Sequence, residues 1–162
     1  MDVGDVSARK ELRRRLQCTS FKQFLDTHFP GKFVPLPSVL QESGQVMQKG
    51  GQCLDTMGKQ HPGESPGIYP CHPSSIPSQN QAFLFTKTGE LRIIWDMCLE
   101  LRGFSVVLHP CSKENTWIHD EQKRLRHVQT GKCLDSAASD VIVATCSEAS
   151  TQHWTFSGYV NG

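Results

Sequence analysis

The sequence predicts a mainly β domain preceded by a short helical appendage. Three observations carry that reading. Beyond Gln45, short β-type runs recur between turn residues, at 82–86, 91–95, 105–108, 125–128, 141–145 and 153–156, and no helix-length amphipathic segment interrupts them. Ahead of them, residues 5–28 carry apolar positions at helical spacing. A pattern of cysteine, leucine and acid then returns three times within the β region.

The elements follow in chain order. Leu12 and Leu16 stand one helical turn apart, and Phe21, Phe24, Leu25 and His28 keep the i, i+3, i+4, i+7 rule, so two helical pieces are expected. Ser20 with Gln23 three residues on reads as a capping box opening the second piece, and Pro30-Gly31 closes it. The basic run Arg9, Lys10, Arg13, Arg14 and Arg15 reads as a solvated face or a surface that met another domain, with a phosphate or acidic-partner site as the alternative. Residues 33–44, with Pro35 and Pro37, are expected to form an extended linker, leaving 1–32 as the helical part and 45–162 as the β domain.

Seventeen basic against sixteen acidic residues leave a formal net charge of +1, which argues against a nucleic-acid partner. Seven cysteines with no Cys-x-x-Cys pair speak against a structural zinc site and for disulfides in an oxidising compartment. Yet the residues after Met1 form no apolar run that would act as a signal peptide or membrane anchor. The chain is therefore expected to be the C-terminal part of a longer secretory-pathway protein.

Self-comparison defines the repeat. Cys53-Leu54-Asp55 is matched by Cys98-Leu99-Glu100 and Cys133-Leu134-Asp135, and further cysteines follow at 71, 111 and 146. Each unit closes on an amide, any residue and an aromatic: Gln81-Ala82-Phe83, Asn115-Thr116-Trp117 and Gln152-His153-Trp154. The aromatic is expected to fill a shared core, and the amide to bond backbone that short strands leave unpaired.

Three units of Cys-Leu-Asp, Cys and Gln-x-Trp resemble the ricin B-type β-trefoil lectins, whose three four-stranded repeats surround a pseudo-threefold axis. The stretch GDVSARKELRRRLQCTSFKQFLDTHFP is similar to the end of the catalytic domain of the polypeptide N-acetylgalactosaminyltransferases, just before their lectin domain. The resemblance, with the repeat order, implies disulfides Cys53-Cys71, Cys98-Cys111 and Cys133-Cys146, each worth on the order of 2 to 4 kcal/mol. Cysteine order by itself leaves other pairings open. Cys18, in its Leu-Gln-Cys context, corresponds to a cysteine that in the resembled family pairs with the catalytic domain; here it is expected to be a free thiol.

A galactose-type sugar presents an apolar C–H face and an edge of vicinal hydroxyls, so its site needs a flat ring, a carboxylate and an amide. The resemblance carries over to the first repeat residue by residue. Asp55 accepts from two hydroxyls, Tyr69 stacks on the sugar face, Asn80 binds the hydroxyl edge and His72 lines the pocket. The second repeat offers Glu100, His109 and Glu114 at the acid, ring and amide positions, and the third keeps Asp135 but has Ala144 and Thr151. Those two sites are expected to have decayed, with Asp135 kept to order its loop.

The resemblance implies a carbohydrate-binding module for N-acetylgalactosamine (GalNAc) on glycopeptides or glycoproteins, drawn from a Golgi-lumenal transferase of mucin-type O-glycosylation. The missing catalytic domain is expected upstream. The alternative is a β-trefoil that serves only as a protein-interaction or stabilising domain. The resembled enzymes hold manganese through Asp-x-His. Asp26-Thr27-His28 spells that triplet, but on a helical pattern that presents no third ligand, so no metal, cofactor or catalytic residue is assigned to this chain. Neither a Gly-rich phosphate loop nor a Gly-x-Ser-x-Gly or His-Glu-x-x-His motif is present.

Overall fold

A computed structural model describes residues 4–17, 20–72, 78–93 and 96–158. Cys18, the expected free thiol, and most of the Pro-rich loop after His72 lie outside the described residues. The chain divides into two compact units, Met1–Val34 and Pro35–Gly162.

The first unit holds two helices, α1 (Ser7–Arg15) and α2 (Phe21–His28). Ser20 caps α2, its hydroxyl accepting from the Gln23 N–H at 3.1 Å, as the capping pattern requires. Arg13, Arg14 and Arg15 sit in the last turn of α1, where cations meet the partial negative end of the helix dipole. No residue of α1 is buried. Asp26 and His28 both lie on α2, and no group of three potential metal ligands occurs among the described residues.

Among the described residues, the second unit is built of strands with two short 3-10 turns. It contains β1 (Leu40–Gly44), β2 (Val46–Gln48), β3 (Gln52–Asp55), β4 (Gly67–Pro70), β5 (Phe83–Thr86), β6 (Leu91–Ile93), β7 (Met97–Arg102) and β8 (Ser105–Pro110). It continues with β9 (Trp117–His119), β10 (Leu125–His127), β11 (Cys133–Ala137), β12 (Asp140–Ala144) and β13 (Trp154–Phe156). All ladders are antiparallel, in a five-stranded sheet ordered β1-β5-β6-β7-β8 and an eight-stranded sheet ordered β13-β2-β3-β4-β12-β11-β10-β9. With β1 and β2 counted as one bent strand, the chain makes three units of four strands: a β-trefoil.

The three units superpose in their chemistry. Leu54, Leu99 and Leu134, the central residues of the three Cys-Leu-acid triplets, are fully buried, as are Phe83, Trp117 and Trp154. The indole N–H of Trp117 donates to the Leu99 carbonyl at 2.7 Å, and that of Trp154 to the Leu134 carbonyl at 3.0 Å. Each closing tryptophan thus reaches back to the triplet leucine of its own repeat. Phe83, with no N–H, fills the same place through packing alone. Disulfides join Cys53 to Cys71, Cys98 to Cys111 and Cys133 to Cys146, closing separations of 18, 13 and 13 residues.

One expected boundary is corrected. Residues 40–44, assigned to the linker, form β1, which pairs with β5 through Leu40↔Thr86 and Gly44↔Phe83. The two prolines stop short of this run, and its alternation is masked because Ser43 and Gly44 face the core without apolar side chains. Gly44 makes the bend between β1 and β2. Its φ is +116°, and a Cβ there would stand 2.3 Å from the Ser157 hydroxyl and 2.9 Å from the Gly158 nitrogen. Across this close approach Ser157 and Gly158 donate N–H bonds to Gln45 and Ser43, tying the end of the domain to its beginning. Gly44→Ala should therefore lower stability by about 2 kcal/mol or more in urea denaturation, combining backbone strain with a clash. Gly103→Ala, at φ +63° in open space, should cost only about 1 kcal/mol, the left-handed penalty alone.

Candidate functional site

Asp55 ends β3, and only 4% of its surface is exposed. A carboxylate so placed must be bonded or it destabilises the fold. Its Oδ1 accepts from the Met57 N–H at 2.6 Å, and its Oδ2 accepts from the Gln81 amide at 2.9 Å. Gln81, fully buried, does more than complement backbone. Its Nε2 also donates to the Pro70 carbonyl at 3.0 Å, while its Oε1 accepts from the His72 N–H at 3.1 Å and from the Gln45 amide at 2.8 Å. The amide therefore ties the carboxylate to the backbone on both sides of Cys71.

The remaining residues join this frame. Tyr69 lies on β4 opposite Cys53, and Gly67 lies opposite Asp55, so Asp55 and Tyr69 are diagonal neighbours on one face of the ladder. Half of the Tyr69 surface is exposed. Asn80 is placed by the strand end: its carbonyl accepts from the Thr56 N–H at 2.9 Å, and its side-chain oxygen accepts from the Thr56 hydroxyl at 3.3 Å. His72 is exposed and connected to Asp55 through Gln81. The four sequence-assigned residues thus converge on one hairpin and the short 3-10 turn Gln79–Gln81.

The third repeat reproduces the frame without the ring. Gln152 donates to Asp135 at 2.8 Å and to the Thr145 carbonyl at 3.1 Å and accepts from the Ser147 N–H at 2.8 Å, again bracketing a disulfide cysteine. Asp135 also accepts from the Ser136 N–H at 2.7 Å. Ala144 lies opposite Cys133, where Tyr69 lies opposite Cys53, so this lobe has no stacking surface.

The second repeat is rewired by one methylene. Glu100, fully buried, reaches far enough to accept from the Ser112 N–H itself at 2.8 Å, the bond that glutamine makes after the cysteine in the other two lobes. Asn115, relieved of that task, pairs with both backbone groups of Leu101, at 2.9 and 2.8 Å. The other Glu100 oxygen accepts twice from the Arg102 guanidinium, at 2.9 and 2.6 Å, and Arg102 also bonds His109 Nδ1 at 3.1 Å. His109 holds the ring position, opposite Cys98. A cation therefore stands on the carboxylate edge that the first lobe leaves to Gln81.

Sequence reasoning missed three participants. Arg102 was findable, because it stands two residues from Glu100 and therefore on the same strand face. The Gln81–Asp55 bond was half visible, the amide having been assigned to backbone alone. Gln45 carried no sequence signal, lying just after a segment read as linker.

Residues 42–154 match the ricin-type beta-trefoil lectin domain family. The chain belongs to that family. Curated relatives of this ricin-type domain are polypeptide N-acetylgalactosaminyltransferases, such as number 5 of Caenorhabditis elegans, 36% identical over 98% of this chain and 26% of that protein. The chain spans about a quarter of the length of such relatives. Among solved structures, that of GalNAc-T7 with UDP, GalNAc and Mn2+ is similar at a TM-score of 0.71 and 27% identity, covering 98% of this chain and 30% of that one. The C-half of the earthworm R-type lectin in complex with GalNAc shares the fold at a TM-score of 0.60 and 15% identity, covering 70% of this chain and 96% of that one.

The buried amide is the part of this ricin-type frame that stability should report. Gln152→Met keeps the volume and leaves the Asp135 oxygen, the Thr145 carbonyl and the Ser147 N–H without their partner. Urea denaturation should show a loss of about 1 to 3 kcal/mol, the range for a buried polar group left unsatisfied. A loss below about 0.5 kcal/mol would mean that water replaces the amide at no cost.

Proposed function

We propose that this chain is a lectin module that binds GalNAc through its first repeat, with Asp55 and Asn80 on the hydroxyl edge, Tyr69 on the C–H face and His72 at the rim. The observation that carries this reading is the asymmetry of the lobes. Only the first joins an amide-held carboxylate to an exposed aromatic ring on the same ladder face. The second has Arg102 on its carboxylate, and the third has alanine where the ring would be.

The chemistry fits a hexose edge. Each carboxylate oxygen accepts one protein bond and has capacity for another, so Asp55 can take two sugar hydroxyls without losing Met57 N–H or Gln81. Prior engagement fixes its orientation, so little entropy is lost on binding. With its oxygen on the Thr56 hydroxyl, Asn80 has its amide nitrogen to offer to a hydroxyl oxygen. One shallow monosaccharide site of this kind gives roughly millimolar affinity, about 4 kcal/mol.

That weak affinity suits tethering. In a larger transferase of the kind its relatives are named for, holding one glycosylated residue of a glycopeptide would raise the local concentration of neighbouring acceptors at the catalytic domain. This reading places the working protein in the Golgi lumen, where such enzymes act on glycoprotein chains.

An NMR titration with GalNAc tests the proposal. Amides around Asp55, Tyr69 and Asn80 should shift with a dissociation constant of roughly millimolar order. Tyr69→Ala, an exposed position, should weaken binding at least about tenfold with an unchanged melting temperature, because the ring's stacking contribution is lost. Unchanged spectra at saturating sugar would sink the lectin reading and leave a trefoil used for protein contacts. Equal binding by Tyr69→Ala would move the site elsewhere.

A further inference from the structure

An ionisable group stands among the rings where the three repeats meet. Phe85, His119 and Phe156 each stand two residues beyond a closing aromatic, Phe83, Trp117 and Trp154 respectively, and their rings meet: centroids lie 6.4 Å apart for Phe85–His119, 5.9 Å for Phe85–Phe156 and 5.4 Å for His119–Phe156. Two repeats supply benzene rings at this place. The other supplies an imidazole, whose side chain is only 4% exposed.

Both ring nitrogens of His119 face acceptors. Nδ1 meets the Glu42 carboxylate in a short contact, and Nε2 meets the Trp154 backbone carbonyl at 2.9 Å. Neither a carboxylate nor a carbonyl can donate, so both bonds form together only when both nitrogens carry protons. His127 offers the contrast. Its Nε2 donates to the Asn115 side-chain oxygen at 2.9 Å, and its Nδ1 meets the Thr130 hydroxyl at 3.0 Å, which can donate, so the neutral ring is satisfied there.

We propose that Glu42, His119 and Trp154 form a proton-dependent lock that closes the trefoil ring. Glu42 is on β1, in the five-stranded sheet; His119 and Trp154 are on β9 and β13, in the eight-stranded sheet. The imidazolium therefore bridges the two sheets at the point where the first and last strands of the domain meet. When the ring loses a proton, one of the two acceptors loses its donor, and β1 is held to β9 less firmly. A cavity of about 370 Å³, lined by Glu42, Ser43 and Phe156 among others, lies on the Glu42 side of the pair.

The sign follows from the groups that face the ring. Burial disfavours the charged form, but the Glu42 hydrogen bond and charge and the Trp154 carbonyl outweigh it, with Lys123 opposing, so the His119 pKa is raised above its usual 6.5. A raised value gives stability that is complete below about 6.5 and lost as pH climbs through the folded-state pKa. His127 is shifted the other way, chiefly by burial, so it contributes its pH dependence below 6.5 and none above.

The test uses the whole chain. The His119 ring-proton signal, assigned by its disappearance in His119→Phe, should titrate above 6.5 in the wild type and move down in Glu42→Gln, which keeps the shape and removes the charge. Melting temperature should fall in the wild type as pH rises from about 6.5 through the folded-state pKa, and that fall should shrink in Glu42→Gln and be absent in His119→Phe, so that it remains in the difference between wild type and His119→Phe once common titrations are subtracted. Titration of His119 at or below 6.5, or the same fall in all three proteins, overturns the lock. Should His119→Phe fail to fold, His119→Gln supplies the assignment and the comparison in its place.

Discussion

A buried carboxylate at the end of a short strand, held by the next available amide, is the constraint on which the rest of the domain depends. Strands of three to six residues leave many backbone groups without ladder partners, and the turn around each disulfide cysteine brings some of them inside. Gln81 and Gln152 resolve this by bonding the carboxylate and both flanks of the cysteine at once. The disulfide fixes the loop covalently, and the amide fixes its polar contents. The result is a rigid frame that presents an acid at one place per lobe.

Lobes differ by what is added to that frame. In the second, one extra methylene moves the acid from the receiving end of the amide bond to the backbone itself, frees Asn115 for Leu101 and brings Arg102 onto the remaining oxygen. The lobe is thereby satisfied internally. In the third, the frame is intact but no ring stands over it. Only the first joins that frame to an exposed aromatic ring, which is why one scaffold repeated three times yields a single proposed site. The axis shows the same divergence, with His119 standing where the other lobes have phenylalanine.

The β class, the threefold order and the two helices were legible because they rest on local signals: Cys-Leu-acid triplets, closing aromatics and the Ser20 cap. The cysteine pairing became legible through the repeat, since equal positions must do equal work. Strands such as β1, β3 and β11 were not read as strands, because their inward residues include serine, glycine and aspartate, whose burial depends on partners far along the chain. Gln45 meets His72 and Gln81, and Glu42 meets His119; contacts 27 to 77 residues apart leave no trace in local pattern. The candidate quartet was placed by family resemblance, and its distances from one another needed the fold.

The central claim is that a single lobe holds a hexose against an amide-clamped carboxylate. A crystal structure of the chain grown with GalNAc tests it most directly. The account predicts one sugar per chain, its hydroxyls on Asp55 and its C–H face over Tyr69, with Arg102 still seated on Glu100. Sugar bound at Glu100 with Arg102 displaced, or an empty first lobe, would contradict it.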